Sequence, residues 1–164
     1  LKLYQSILEA GAGLGLTHYG LRALMSLRLE KNWGVWTLDF RPDFTAAQSG
    51  MDAFIDWDKD FIGKAALLKR QAVGPKRQLV TLKIDTNHAP AHPGASLMQG
   101  NTVVGTITSG DYGHRVGMNL AYAFVEPDFA AVGSSVQLDL CGDRITAHVV
   151  DTSPYDPKFE RMRR

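Results

Sequence analysis

The stretch Ser135-Val-Gln-Leu-Asp-Leu140, Cys141-Gly-Asp-Arg144, Ile145-Thr-Ala-His-Val-Val150 decides the fold class. Two short apolar-rich segments flank a break that contains glycine, which is the pattern of a β-hairpin. Working upstream, Leu120 to Val125 reads as a strand ended by Glu126-Pro127. Ser96 to Gln99 leads into Gly100-Asn101, a hairpin turn pair, with Val103 to Thr108 as the return strand. Ser109-Gly110-Asp111 then reads as a further turn. In Gln78 to Ile84, Leu79, Thr81 and Lys83 alternate against Val80, Leu82 and Ile84, the period of a strand. Asn87 to Gly94 holds Pro90 and Pro93 and reads as loop. Five or more short strands at hairpin spacing predict a small antiparallel barrel or sandwich.

Ahead of Gly74-Pro75 the character is helical. Leu3, Tyr4, Ile7 and Leu8 mark one apolar face of a helix over 2–10, closed by Gly11, Gly13 and Gly15. Thr17 stands as the N-cap of a second helix over about 18–30, with Leu21, Leu24, Met25 and Leu29 on its period. Arg28 and Lys31 suit the negative end of its dipole. From Asn32 to Gly50 the aromatics Trp33, Trp36 and Phe40 give apolar weight without a period, and Arg41 to Phe44 reads as loop. Met51 to Trp57 predicts a short strand, and Asp60 a cap for a third helix over 62–72. The expectation is an α+β chain: a helical front segment over 1–75 and a β domain over 76–164.

The composition bounds the function. With 164 residues the chain holds one ordinary domain, or a small domain with an appendage. Hydrophobic residues at 45% and charged residues at 21% are globular values. A net charge of +1 gives no electrostatic case for nucleic acid or membrane as partners. No apolar run reaches the roughly 20 residues of a membrane span. Cys141 is the single cysteine and has no internal disulfide partner, which suits a reducing compartment, the cytoplasm. The chain opens on Leu1, directly in an amphipathic pattern, so it is expected to be cut from something longer.

Few side chains carry obvious chemistry. His88 and His92 have metal-ligand spacing on a helix, but Pro90 between them argues against the helix, so no metal site is expected. Cys141 in a hairpin turn reads as an unreactive thiol. Gly11, Gly13 and Gly15 follow no strand and do not form a dinucleotide loop. Arg22 and Arg28 each offer a two-pronged match to a ligand carboxylate; the alternative is solvation or pairing with a nearby acid. Thr108 to His114, with Tyr112 in its middle, reads either as the lining of a ligand mouth or as a tight barrel connection.

Four strings together carry a resemblance: Ser26-Leu-Arg-Leu-Glu-Lys31, Asp60-Phe-Ile-Gly-Lys-Ala-Ala-Leu67, Val104-Gly-Thr-Ile-Thr-Ser-Gly110 and Leu120-Ala-Tyr-Ala-Phe-Val125. In order and spacing the chain resembles the carboxy-terminal part of dimethylglycine and sarcosine dehydrogenases and of the glycine-cleavage aminomethyltransferase. The resemblance implies a remnant of a folate-binding domain followed by a β-barrel. Tetrahydrofolate would lie between them and accept a one-carbon unit from an amine. It implies FAD only in an upstream domain that oxidises the N-methyl amine. The family's catalytic acid and folate-pairing glutamate fall before Leu1, so no catalytic residue is expected here, and the chain alone is expected to be inactive while its parent is an enzyme. Arg22, Arg28 and Tyr112 are the folate contacts expected. The aminomethyltransferase arginine falls on Leu24, which resembles the dehydrogenase branch, and an aromatic folate contact falls on Ala53. Arg22 lies about 200° around the helix from Leu24 and so on another face. The expected partners are folate and the rest of the parent chain. The alternatives are a non-catalytic interaction or scaffold module, and a methyl transferase with a sulfonium donor.

Overall fold

The computed structural model describes every residue except Asn87, Met162 and Arg164. Asn87, the first residue of the expected proline loop, therefore lies outside the described residues. Helices α1 (Lys2–Gly11), α2 (Leu21–Glu30) and α3 (Lys64–Val73) precede strands β1 (Gln78–Ile84), β2 (Ser96–Gln99), β3 (Thr102–Gly113), β4 (Met118–Val125), β5 (Ser135–Leu140) and β6 (Asp143–Val150). The strands close into an antiparallel barrel in the order β1-β4-β3-β2-β5-β6. The α+β expectation, with a helical front and a small barrel, holds.

The hairpin that opened the sequence reading forms as its residues dictate. Cys141 at φ 55° and Gly142 at φ 97° give the two left-handed positions of a two-residue turn that matches the strand twist. The barrel interior is filled by Val80, Leu82, Ile84, Leu97, Ile107 and Val136, with the small residues Ala121, Ala123 and Ala147 where walls approach. Strand β4 is buried on both faces from Asn119 to Val125. Its odd-numbered apolar residues face the barrel interior. On the outside Leu120 and Tyr122 pack under Leu29 of α2, and Phe124 stacks on Phe44 with centroids 3.6 Å apart. Double burial explains why the strand reads as an unbroken apolar run rather than an alternation. Each such side chain contributes roughly 1.5–3 kcal/mol relative to exposure.

Four local expectations are corrected. Helix α2 starts at Leu21 behind Gly20, and Thr17 does not cap it. Met51 to Trp57 is not a strand: Asp52–Phe54 form a single 3-10 turn. Helix α3 starts behind Gly63 at φ 92° with no side-chain cap. The start is held by Lys64, whose Nζ donates to the carbonyls of Trp57 and Lys59 at 2.6 and 3.0 Å, so Asp60 has no capping role. Finally, Ser109-Gly110-Asp111 is not a turn. Strand β3 runs through it to Gly113 with a register shift between Ile107 and Ser109. The bulge absorbs the irregularity that the polar, glycine-containing string announced. Gly110 is required there because a Cβ would run into the backbone carbonyl of Ala91.

Candidate functional site

The seam between α2 and the barrel holds a dense, buried polar network. Asp39 is fully buried, and its carboxylate accepts four hydrogen bonds. Arg28 Nη1 donates to Oδ2 at 2.7 Å and the Val35 amide to the same oxygen at 2.9 Å. The hydroxyls of Thr108 and Ser109, at the β3 bulge, each donate to Oδ1 at 2.6 Å. The loop after α2 is thereby clamped to the bulge. Buried charges are tolerated only with this degree of pairing. Glu30, 1% exposed, makes a second clamp: its carboxylate accepts the Arg115 amide at 2.6 Å and the Val116 amide at 3.3 Å. Ser26 Oγ donates to the Tyr112 carbonyl at 2.5 Å. Tyr122 donates from beneath to the carbonyls of Arg28 and Leu29, both at 3.2 Å. Burial pushes the Tyr122 phenol far above its ordinary range, with Arg28 opposing and Asp39 adding to the shift.

These clamps fix the register of α2 over the end of β3, and so position what stands on the surface above. Arg22 projects from the first turn of α2 with 86% of its side chain exposed, and its Nη2 lies 3.9 Å from Asp111. Asp111 accepts the Tyr112 amide at 2.8 Å. The Tyr112 ring meets His114 edge-on at 5.1 Å. The structure thus brings Arg22 to Asp111, the neighbour of Tyr112 in β3, and the alternation of the strand turns the Tyr112 ring to the opposite face, against His114. Arg28, the third expected contact, is placed differently: it is 5% exposed and its guanidinium is engaged by Asp39, the Trp33 carbonyl and the Met25 sulfur. It takes the paired role that was the alternative in the sequence. Asp39, Glu30 and Asp111 were missed. Asp39 sits among Trp33, Trp36 and Phe40, and an acid in an apolar-rich stretch without period was the available signal.

The positions where the resemblance placed non-matching residues are both open. Leu24 is 42% exposed, and Ala53 lies on the surface beside Phe54, itself 81% exposed. Other large apolar side chains are exposed as well: Leu3, Tyr4 and Ile7 of α1, Leu21 and Leu27 of α2, and Trp33 and Trp36 after it. His88, His92 and Cys141 line one shallow groove. Among the described residues no group of three or more His, Cys, Asp or Glu side chains could hold a metal ion, and no helix is long and apolar enough to cross a membrane.

Residues 77–156 match the glycine cleavage T-protein C-terminal barrel domain, and residues 1–59 match the GCVT N-terminal domain. The mitochondrial dimethylglycine dehydrogenase of Homo sapiens is 35% identical over 150 residues, which are 90% of this chain and 17% of that protein. The probable aminomethyltransferase of Pyrococcus furiosus is 32% identical over 167 residues, 96% of this chain and 42% of that protein. The crystal structure of the glycine cleavage system aminomethyltransferase T from Bartonella henselae superposes with a TM-score of 0.74 at 27% identity, covering 82% of this chain and 38% of that one. The chain therefore spans less than a fifth of the length of the dehydrogenases it matches and about two fifths of the aminomethyltransferases. With both consecutive family segments and the closed barrel in place, the chain belongs to the glycine-cleavage T-protein and dimethylglycine dehydrogenase family, of which it represents the carboxy-terminal portion.

Proposed function

We propose that this chain supplies the barrel, and the barrel-side edge of the folate domain, of an enzyme that passes one-carbon units from an N-methyl amine such as dimethylglycine or sarcosine to tetrahydrofolate. The observation that carries the reading is the exposed Arg22, which stands over Asp111 next to Tyr112 in the chain, on a helix whose Leu21, Leu24 and Leu27 are exposed. An exposed cation among exposed apolar side chains suits an anionic ligand with an apolar body. Tetrahydrofolate supplies the nucleophilic nitrogen that accepts the carbon unit. Arg22 would meet its glutamate carboxylate and Tyr112 would contact its body. Arg28 would act without touching the ligand, by holding Asp39 and hence the bulge that carries Asp111 and Tyr112.

The chemistry is assigned to a longer parent, with FAD, where used, in an upstream domain. The cytoplasm is the compartment we assign. The rest of the parent chain is the partner that covers the exposed apolar side chains. Isothermal titration of tetrahydrofolate against this chain and against the parent tests the reading. Binding is expected with the parent and to be weak or absent with the chain alone, and absence of binding by the parent refutes it. In the parent, Arg22→Ala is expected to weaken folate binding by roughly 10- to 100-fold, the range for a lost hydrogen bond to a charged group. A second reading, a non-catalytic interaction or scaffold module, draws support from Ala53 and Leu24. It predicts a stable protein partner whose binding folate does not alter.

A further inference from the structure

At the other end of β4 from Tyr112 lies an open groove of about 870 Å³, between α3, the start of β1 and the loop over 43–52. Tyr112 pairs with Asn119 and Gln78 with Val125. Six residues of strand separate those two positions, roughly 20 Å at 3.3 Å per residue. The groove is therefore distinct from the Arg22 end of the barrel. We propose that it binds an organic dianion with an apolar body, and the proposal does not depend on the folate reading.

Three observations support it. The first is charge. Lys69 and Arg70 on α3, and Lys76 and Arg77 ahead of β1, all line the groove. Two acids face them, Asp43 and Asp52, leaving an excess of two positive charges. Asp43 is already paired with Arg41, and Asp52 Oδ1 is enclosed without a hydrogen-bond partner among the described residues. The second is the absence of partners. Arg22, Arg28, Lys31, Arg41, Lys83 and Arg144 each pair with an aspartate, and cations elsewhere without a partner among the described residues, such as Lys2 and Lys59, stand apart in the chain rather than around one groove. Among the described residues the four groove cations make no ion pair and no side-chain hydrogen bond. Cations in excess of the acids around them repel one another, and an anion relieves that repulsion.

The third observation is the floor. Phe44, Leu67 and Pro75 give it apolar surface. Its Phe44 side is held before any ligand arrives: Phe44 is stacked on Phe124, the Leu79 amide donates to the Gln48 carbonyl at 2.7 Å, and Gln48 Oε1 accepts from the amide and hydroxyl of Thr45. A preformed apolar floor under a cationic rim selects a ligand that is flat and apolar in the middle and acidic at its edge. Two acidic groups match the two cationic segments and the excess of two charges.

The experiment is an amide-detected NMR titration of this chain with isophthalate, compared with benzoate and with citrate. Isophthalate is expected to shift the amides of residues 43–48 and 69–78, to bind at least five-fold more tightly than benzoate, and to weaken as salt rises from 50 to 300 mM. Citrate, which has the charge without the flat body, is expected to bind more weakly than isophthalate. Lys69→Gln/Arg70→Gln, both exposed on α3, and Arg77→Gln, at the strand start, are expected to reduce affinity at least five-fold each with the spectrum otherwise unchanged. Arg144→Gln on the far hairpin should leave it unaltered. Benzoate binding as tightly as isophthalate overturns the dianion. Shifts centred on Arg22–Tyr112, or spread over exposed cations alike, overturn the location. Unchanged affinity in both groove variants overturns the role of the cations.

Discussion

Removing the Asp39 carboxylate provides the sharpest test of how α2 is held to the barrel. In Asp39→Ala the Arg28 guanidinium stays 5% exposed with its counter-ion gone, and the Val35 amide and the Thr108 and Ser109 hydroxyls lose their acceptor. Stranding one partner of a buried pair destabilises by about 3–5 kcal/mol. At roughly 2–4 °C per kcal/mol for a chain of this size, that is a fall in Tm of about 6–20 °C. The reverse deletion is not equivalent. In Arg28→Met the carboxylate keeps three donors, and the loss is the charge-assisted hydrogen bond to Asp39, about 1.5–3 kcal/mol, with the weaker donations to the Trp33 carbonyl and the Met25 sulfur added to it. The double variant Arg28→Met/Asp39→Leu removes both charges and should recover part of the Asp39→Ala loss, because a buried ion pair is often replaceable by apolar groups. Urea unfolding followed by tryptophan fluorescence reads all three, since Trp33 and Trp36 lie on the clamped loop. A loss below 1 kcal/mol for Asp39→Ala, or Arg28→Met destabilising more than Asp39→Ala, would refute the reasoning.

Other outcomes follow from the same geometry. Glu30→Ala leaves the Arg115 and Val116 amides without an acceptor and is expected to destabilise by about 1–3 kcal/mol, with the 114–117 turn losing hydrogen-exchange protection first. Gly110→Ala forces a Cβ into the Ala91 carbonyl and should lower stability by roughly 1–3 kcal/mol, measured by denaturant midpoint. Tyr122 stays protonated in the fold while an unfolded tyrosine releases its proton near pH 10. Above that pH the unfolded state binds fewer protons, so stability is full below about pH 10 and falls as pH rises, by up to about 1.4 kcal/mol per unit. Tyr122→Phe should flatten this alkaline limb. Burial raises the Asp85 carboxyl, but hydrogen bonds from His148 and Lys83 outweigh it and hold it below the usual range. Its contribution is present above about pH 4 and lost on acidification, and Asp85→Asn should change stability at pH 7 by only a few tenths of a kcal/mol at this exposed pair.

The barrel was legible because its signals are local. Gly100 and Gly142 supply the left-handed backbone of the two hairpin turns, and the segments on either side are the right length to pair. The reading failed where one residue answers to a distant one. Ser109-Gly110-Asp111 has turn composition, yet Ser109 is tied to Asp39, seventy residues away in sequence, and Gly110 makes room for Ala91. Nothing within a window of ten residues records either contact. Asp60 has the chemistry of a cap, but Lys64 supplies the tie at the start of α3 from inside the helix. Arg28 and Arg22 are alike in the sequence as cations of one helix. They differ in the fold because six residues on a 100° step bring Arg28 toward the seam and leave Arg22 at the first turn, facing water.

This contrast bears on why the family strings sit where they do. Ser26-Leu-Arg-Leu-Glu-Lys31 contributes Ser26 to the Tyr112 carbonyl, Arg28 to Asp39, Leu29 to the packing over Leu120 and Tyr122, and Glu30 to the turn at Arg115. Val104 to Gly110 contributes the hydroxyls of Thr108 and Ser109 and the close approach at Gly110. Leu120 to Val125 contributes the doubly buried strand between them. Three of the four strings thus meet in one seam, where side chains from both sides are buried together and a change in one strands a polar group of another. Such a seam tolerates little substitution, whereas exposed positions such as Leu24 and Ala53 can vary without disturbing it. The strings therefore mark the seam that holds α2 on the barrel, and the exposed side chains above it are free to change without disturbing the fold.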